Sequence, residues 1–561
     1  MKERYITLME KTLWAYSNEH IIQYIDSVKE KGLTEHGFPR LTANIGILIA
    51  HGKRLDLLNV FIEMMDLCCD MFLRPFAKAA NEFSVREIVC CINELEKAKT
   101  VNEELITLWK QKISRIDPGS CYNKVVENET DRITNWAIFG ALSEYARFYF
   151  GLGENLDFVD RQLSCQFQWL DENGMYRDNS KELIHQPIMY DYVSRGLFAM
   201  LLHWGYRGKY YEQIDDCLRR SGILTLKMQS TTGEIPFGGR SNQFLHNEAW
   251  MTLIFEYEAQ RYWKSGNTDL AIEFKSAIDR ALDVTEKWLD KTPVRHIKNK
   301  YPTCSKYGCE EYAYFDKYMI TVASNLYASC MLCDDNIPTV KKSDRVPTVF
   351  QTSDYFHKLF LKSGGYALEF DTNADTHYDA NGLGRVHREG APSTICLSCP
   401  CPQNPIITLD FETPFAFSLC SGIRVDGEWV FGANAEARYK ISESKCDENN
   451  AFATVLCEIS GKTLKEIYTV NEKGVNIKVL GHGEIGYTLP ALCFDGESKP
   501  EITCLDNTLS ISYDGWVCRY TTNAVICGLG KEAANRNGHY HAFIAVSNDE
   551  LDVKIEIFPI Q

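Results

Sequence analysis

Residues 135–153 read NWAIFGALSEYARFYFGLG, and this stretch decides the first half of the fold. Ile138, Phe139, Leu142, Tyr145, Ala146 and Tyr149 recur at three- and four-residue steps, which on a 3.6-residue helix makes one apolar stripe. Gly151 and Gly153 then supply a residue type that takes the left-handed conformation at a helix end. A second helical pattern starts near Asp157, and the unit repeats. Residues 190–204 run into Gly205-Tyr206-Arg207-Gly208, and residues 244–263 run into Ser265-Gly266-Asn267 before a partner helix over 270–289. The pattern predicts roughly twelve helices in hairpins of about 45 residues, a spacing that fits an (α/α) toroid or a helical solenoid. Long polar loops alternate with short tight ones, which favours a toroid whose long loops open onto one cleft.

Beyond Lys341-Lys342-Ser343-Asp344-Arg345 the period changes. Val475, Ile477 and Val479 alternate with Asn476 and Lys478, and Val553, Ile555 and Ile557 alternate with Lys554 and Glu556. Period two with one wet face is the mark of antiparallel strands. Turn signals such as Asn471-Glu472-Lys473-Gly474 and Asp514-Gly515 separate the runs, and no helix-length stretch intervenes. The expectation is an α-then-β chain, with an (α/α)6-type helical toroid over 1–345 and an antiparallel β-sandwich over 346–561 that completes the cleft.

Composition narrows the function. A length of 561 residues suits two or three domains, and 45% hydrophobic with 24% charged residues describes a globular chain. The formal net charge of −16 and the lack of a Lys/Arg-dense stripe argue against nucleic acid as a partner. The first residues hold charges without a signal-type apolar run, and no apolar stretch is long enough to span a membrane. Twenty-one cysteines, an odd number with Cys68-Cys69 and Cys90-Cys91 inside apolar helical patterns, read as reduced buried thiols. The expected location is therefore cytoplasmic, with no membrane contact. A homodimer is a further expectation.

The richest segment is residues 232–250, TGEIPFGGRSNQFLHNEAW. A Gly-rich loop permits close backbone approach, and Arg240, Asn242, Gln243, His246, Asn247 and Glu248 crowd the start of the helix it feeds. Amide and guanidinium groups suit sugar hydroxyls or a carboxylate because they present paired donors at fixed geometry. Without a G-x-x-x-x-G-K-[ST] pattern or a preceding strand, the segment is not a phosphate loop. A second cluster holds Tyr301, Lys306, Tyr307, Glu310, Glu311, Tyr312, Tyr314 and Asp316, and a third holds His185, Gln186, Tyr190, Asp191, Tyr192 and Arg195. Each precedes or opens a helix, as expected of loops that ring one cleft. Plain helix capping and solvated charge are the competing explanations.

Residues 371–388 are too polar for a core strand and too rich in His and Arg for an ordinary turn. They are expected to form a loop over the cleft, where Arg385 or Arg388 pairs with an acidic sugar. Cys396-x-x-Cys399-x-Cys401 and Cys330-x-x-Cys333 lie in different halves and do not form paired zinc knuckles, so no metal and no cofactor is expected. Neither H-E-x-x-H nor G-x-S-x-G occurs.

With these residues in view, the chain resembles the bacterial glycan-degrading enzymes that join an (α/α) toroid to an antiparallel β-domain. Within that group it resembles a glycoside hydrolase family of β-glucuronidases. The likeness spans residues 130–390 and rests on Asn135-Trp136, the Gly238-Gly239-Arg240-Ser241 to Asn247-Glu248-Ala249 block, and His377-Tyr378-Asp379 with Gly382-Leu383-Gly384-Arg385. Heparinase and alginate-lyase families share the architecture. The resemblance implies a carbohydrate substrate that contains a uronate.

Hydrolysis needs two carboxyl groups, for which Glu248 and Glu311 are the candidates, with Asp191 and Glu310 in reserve. Elimination needs a neutralised uronate carboxylate, by Asn247 or Arg240, and a base, Tyr314 or His246. Tyr190, Asn242, Gln243, Glu310, His377, Tyr378, Arg385 and Arg388 complete the expected substrate-binding set. Hydrolysis is the leading expectation, elimination the second. An epimerase or a non-catalytic glycan-binding module follows.

Overall fold

The computed structural model describes residues 1–74, 79–178, 184–343, 345–410 and 414–560. Asp344, in the run expected to mark the domain boundary, lies outside them.

The helical half contains α1 (Lys2–Leu13), α2 (Asn18–Lys31), α3 (Gly37–Ala50), α4 (Leu58–Phe72), α5 (Val85–Ala98), α6 (Glu103–Ser114) and the single turn α7 (Pro118–Cys121). It continues through α8 (Asn135–Tyr149), α9 (Leu156–Leu163), α10 (Ile188–His203), α11 (Tyr211–Met228), α12 (His246–Lys264), α13 (Thr268–Leu289) and α14 (Phe315–Leu332). Packing order makes these a closed ring. The inner helices touch in the order α3, α5, α8, α10, α12, α14, and α14 returns to α3. Outside them lie α4, α6, α9, α11 and α13, and α1 covers α14. The expected (α/α)6 toroid is present.

The two rings differ as their burial requires. Inner α12 is buried without a break from His246 to Glu256, whereas outer α13 buries Ala271, Phe274, Ala277, Ile278, Ala281 and Leu282 along one stripe. Helix α1 closes the ring by burying Tyr5, Leu8, Met9 and Leu13. At roughly 1.5–3 kcal/mol for each large apolar side chain, this burial dominates the closure. Arg4, ion-paired with Asp279, Asp283 and Glu286, adds register at the part-exposed rim.

After α14 the chain is all strand: β1 (Thr348–Gln351), β2 (Lys358–Ser363), β3 (Tyr366–Asp371), β4 (Gly382–Arg388), β5 (Ser421–Val425), β6 (Glu428–Phe431), β7 (Arg438–Cys446) and β8 (Ala451–Ile459). Then follow β9 (Lys462–Asn471), β10 (Gly474–Phe494), β11 (Glu501–Leu505), β12 (Thr508–Tyr513), β13 (Trp516–Thr522), β14 (Ile526–Asn535) and β15 (Gly538–Pro559). Strands β1 to β4 form one antiparallel sheet in chain order; the others form a larger one built around the long β10–β15 pair. Val475 faces Ile555 and Ile477 faces Val553 across that pair, all four buried, as the alternation predicts.

The small sheet is a spacer between toroid and sandwich, and both its faces are covered. On β2, Leu359 and Leu361 join the sandwich core, while Phe360 joins the toroid core and Lys362 donates to Leu226 O on α11. By the same alternation β3 and β4 present Glu369, Asp371, Arg385 and His387 toward the helices. This charged, buried layer corrects the expectation for residues 371–388. Their second part is strand β4 rather than loop, and its His and Arg line an internal face.

Most of the cysteines are buried, and all are free thiols. Among the described residues no helix is long and apolar enough to cross a membrane.

Candidate active site

The N-terminal ends of the six inner helices converge on one mouth. A cavity of about 170 Å³ there is lined by His36 and Arg40 from α3, Phe83 ahead of α5, and Asn135, Trp136 and Phe139 from α8. Met189, Tyr190 and Val193 of α10, Ser241, His246 and Trp250 at α12, and Lys317, Tyr318 and Thr321 of α14 line the rest, with Tyr312 from the loop before α14. Helix N-termini carry partial positive charge, so six of them favour an anion at this point of an acidic protein. Among the described residues lining this cavity there is no Asp or Glu.

Ser241 is the hub. Its hydroxyl lies 3.2 Å from Tyr190 Oη, 3.0 Å from Tyr312 Oη and 3.2 Å from Tyr318 Oη. Three loop-to-helix junctions, far apart in the chain, thus meet at one hydroxyl. The loop that carries Ser241 bends through Gly239 (φ +72°) and Ser241 itself (φ +58°). A Cβ on Gly239 would lie 3.0 Å from Pro187 Cα in a backbone conformation that side chains rarely adopt, so glycine is favoured there. Asn247 pins this bend: its Oδ1 accepts from Phe244 N at 2.9 Å and its Nδ2 donates to Ser241 O at 3.1 Å.

Arg240 stands beside Tyr190, its guanidinium carbon 4.6 Å from the ring centroid, and its Nη2 is 3.4 Å from Asp178 Oδ2. Burial pushes the Tyr190 hydroxyl above its ordinary value, and Arg240 pulls it back. Burial likewise raises Asp178, which Arg240 and both donors of Asn135 oppose. His246 is packed between Phe244 and Tyr318; burial, then Arg40, drop it to about 3, so it is neutral at working pH. Its Nδ1 has no hydrogen-bond partner among the described residues.

The β-domain walls a second space of about 140 Å³, bordered by His185, Arg240, His357, Lys358, Tyr378 and Asp379, in which Arg240 packs against Tyr190 of the mouth. Asp379 accepts from Gly239 N at 2.7 Å, and burial raises its carboxyl to about 6 despite Lys358 nearby. Asp371 is buried too, yet His357 and Lys358 hold it at about 2. Arg536, in the turn between β14 and β15, grips Glu310 at 2.7 and 3.1 Å, and Glu310 Oε1 in turn accepts from Ser241 N at 2.6 Å.

Of the expected site residues, the structure brings Arg240, His246, Tyr190 and Tyr378 to these two spaces. The others lie elsewhere. Glu248 is fully buried against Lys298 Nζ at 2.6 Å, beside Glu234, and lines neither space. Glu311 and Tyr314 are exposed. Asp191 is buried in an ion pair with Arg195 and accepts from Tyr176 N, which makes it internal support for α10. Glu310 is committed to Arg536, and Asn242 to Pro236 O. Gln243 lines a different cavity of about 400 Å³ between α13 and the β-domain. That cavity is the larger, but the aromatic and polar junctions converge on the mouth. His377 is exposed with Asp375, Arg385 is buried against Glu369, and Arg388 reaches Gly364 O at the opposite end of β4.

The sequence reading did not single out His36, Arg40, Lys317, Tyr318, Asp178 or Arg536. His36 and Arg40 frame an apolar helix that is buried all round, where a polar residue at the first turn is itself a signal.

No family model and no curated protein matches the sequence. Among solved structures, the chain is similar to a chondroitin AC lyase of Streptomyces coelicolor A3 in complex with chondroitin sulphate, at TM-score 0.47 and 10% identity over 99% of this chain and 83% of that one. It is also similar to a heparan sulfate lyase from Pedobacter heparinus (TM-score 0.36, 9% identity, 92% and 77% covered). A glycosyl hydrolase family 88 protein from Bacteroides vulgatus gives TM-score 0.35 and 12% identity over 56% of this chain and 98% of that one. Likenesses this distant establish neither activity nor family; the toroid stands on its own closed ring of helices.

Proposed function

We propose that the protein cleaves a uronate-containing glycan by β-elimination. The carrying observation is the make-up of the mouth: tyrosines, a neutral histidine, an amide and cations around Ser241, with no carboxylate among its described lining residues. Such a set suits proton abstraction next to a neutralised carboxylate better than two-carboxylate hydrolysis. Arg240 and Lys317, with the helix N-termini, face the uronate carboxylate and acidify its C5 proton. Tyr190 takes that proton, with Arg240 beside it offsetting part of the burial that raises its hydroxyl. The C4–O bond breaks as the C4=C5 bond forms, and the departing O4 is protonated by a tyrosine hydroxyl. Trp136, half-buried at the rim, offers a face for a sugar ring. The catalytic groups belong to residues 1–345, and residues 346–561 complete the cleft through Tyr378 and Asp379.

Hydrolysis, the leading expectation from the sequence, becomes the second reading, favoured by one observation: Asp379, raised to about 6, and Asp178, also raised, both lie near Arg240. Incubation with a panel of uronate oligosaccharides decides between the two. Elimination yields products whose masses sum to that of the substrate, one with a conjugated unsaturated uronate that absorbs in the ultraviolet. Hydrolysis adds one water and no absorbance. Products with added water overturn the elimination reading.

A further inference from the structure

We propose a zinc site on the outer face of the large sheet, formed by Cys493 of β10, Glu532 of β14 and His541 of β15. One ligand atom from each residue lies within 4.8 Å of the other two. The backbone explains the convergence. Glu532 and His541 are direct partners across the β14–β15 ladder, so their side chains leave the same face, and His541 Nδ1 sits 3.7 Å from Glu532 Oε2. On the other side of β15, the β10 register slips between Leu492 and Phe494, and Cys493 is the residue left over at that irregularity. A bulge re-aims a side chain, and here it adds a sulfur to an imidazole and a carboxylate.

A second layer fixes the first. His539, two residues before His541 on the same strand, places Nδ1 2.6 Å from Glu532 Oε1 and Nε2 2.9 Å from Asp410 Oδ1. One carboxylate oxygen of Glu532 is thereby held, and the other stays directed at His541. Partners of this kind orient metal ligands and tune their affinity. The donor set of thiolate, imidazole and carboxylate is one that zinc takes and does not suit calcium and magnesium, which take oxygen. His541 is about half exposed and Cys493 and Glu532 are half-buried, so the ion has access and a fourth position is left for water. On binding, the Cys493 thiol forms a metal–sulfur bond and its proton passes to solvent. The site is separate from the mouth and ties three strands together, next to the Tyr301–Tyr307 stack that holds a toroid loop on the β-domain.

The test is a cobalt(II) titration of the full chain after chelator treatment. One equivalent is expected to give an intense near-ultraviolet thiolate-to-cobalt band with visible bands of a four-coordinate ion, all displaced by zinc. Cys493→Ser should lose the near-ultraviolet band, while Cys446→Ser, at an exposed cysteine on β7, keeps it. His541→Ala removes a ligand and should weaken cobalt binding by more than the about tenfold that loss of an outer-shell partner costs. Absence of the band in the unaltered protein, its survival in Cys493→Ser, or unchanged affinity in His541→Ala would overturn the site.

Discussion

Arg536 and Glu310, 226 residues apart, form a buried two-point ion pair that joins the β14–β15 turn to the loop ahead of α14. The pair also aims Glu310 Oε1 at Ser241 N, so the β-domain sets the position of the toroid's central hydroxyl. Removing one member of such a pair leaves the other buried and uncompensated, at a cost of about 3–5 kcal/mol. Arg536→Met should therefore lower stability by that order and depress turnover. Adding Glu310→Gln to Arg536→Met should restore most of the stability, because it removes the stranded charge. Denaturant titration of the two variants checks this; equal losses in both would show that the pairing is not what matters.

Tyr190→Phe removes the proposed base and keeps its ring. The hydroxyl lost is one of three around Ser241, so the fold should survive with an unchanged circular dichroism spectrum. Turnover should fall by about 10²–10⁴, the usual contribution of a positioned acid–base group. Near-native turnover in a folded Tyr190→Phe enzyme would remove Tyr190 from the mechanism.

Glu248 behaves differently. Its carboxylate is sealed against Lys298, with Glu234 as the lysine's second, longer contact at 3.5 Å. Glu248→Gln should thus lower the thermal midpoint while the folded fraction keeps its specific activity. Active-site titration separates the two effects. Complete inactivity in a fully folded Gln variant would return Glu248 to the chemistry.

Much of this was legible in the sequence, and the exceptions have physical causes. Helical and strand periodicities differ by nearly a factor of two, so the change of architecture between α14 and β1 was readable from spacing alone. The three junction clusters were readable as well, because polar residues crowded the start of helices that are otherwise apolar. Their internal assignment was not: Asp191 and Tyr190 are adjacent, and only packing shows that one faces Arg195 and the other the mouth. Arg385 misled because a strand covered on both faces by unlike layers, one apolar and one ionic, does not look like a half-wet strand. Arg536 gave no local sign, since its meaning lies in a residue of the other half.

Asp379 predicts a pH effect. Its carboxyl titrates near 3.8 when unfolded and about 6 when buried in the fold. Between those values the folded state binds the extra proton, so stability falls as pH rises from about 4 to about 6 and levels above that. The two-unit shift corresponds to roughly 3 kcal/mol as an order of magnitude. Asp379→Asn, which keeps an acceptor for Gly239 N, should flatten that part of the stability profile. Denaturation midpoints at several pH values would show it, and a variant profile parallel to that of the unaltered protein would contradict it.

Arg240 is the group through which substrate charge should be felt. It lines the second space, packs against Tyr190 of the mouth and is about one-third exposed, in contrast to Arg385, which is buried under Glu369. Arg240→Met is expected to cut kcat/KM for a uronate glycan by about 30-fold or more, as losing one partner of a desolvated charge pair costs roughly 2–5 kcal/mol. Asp178 complicates the experiment, because Arg240 is also its counter-charge, and a variant that merely disturbs Asp178 would look inactive. Two comparisons separate the effects. A carboxylate-reduced substrate analogue, tested for binding, should lose little affinity in Arg240→Met if the arginine reads the carboxylate. Asp178→Asn with Arg240 intact should keep the preference for the acidic substrate. Equal losses on acidic and neutral ligands in Arg240→Met would make Arg240 a support for Asp178 and leave the helix N-termini and Lys317 to hold the uronate.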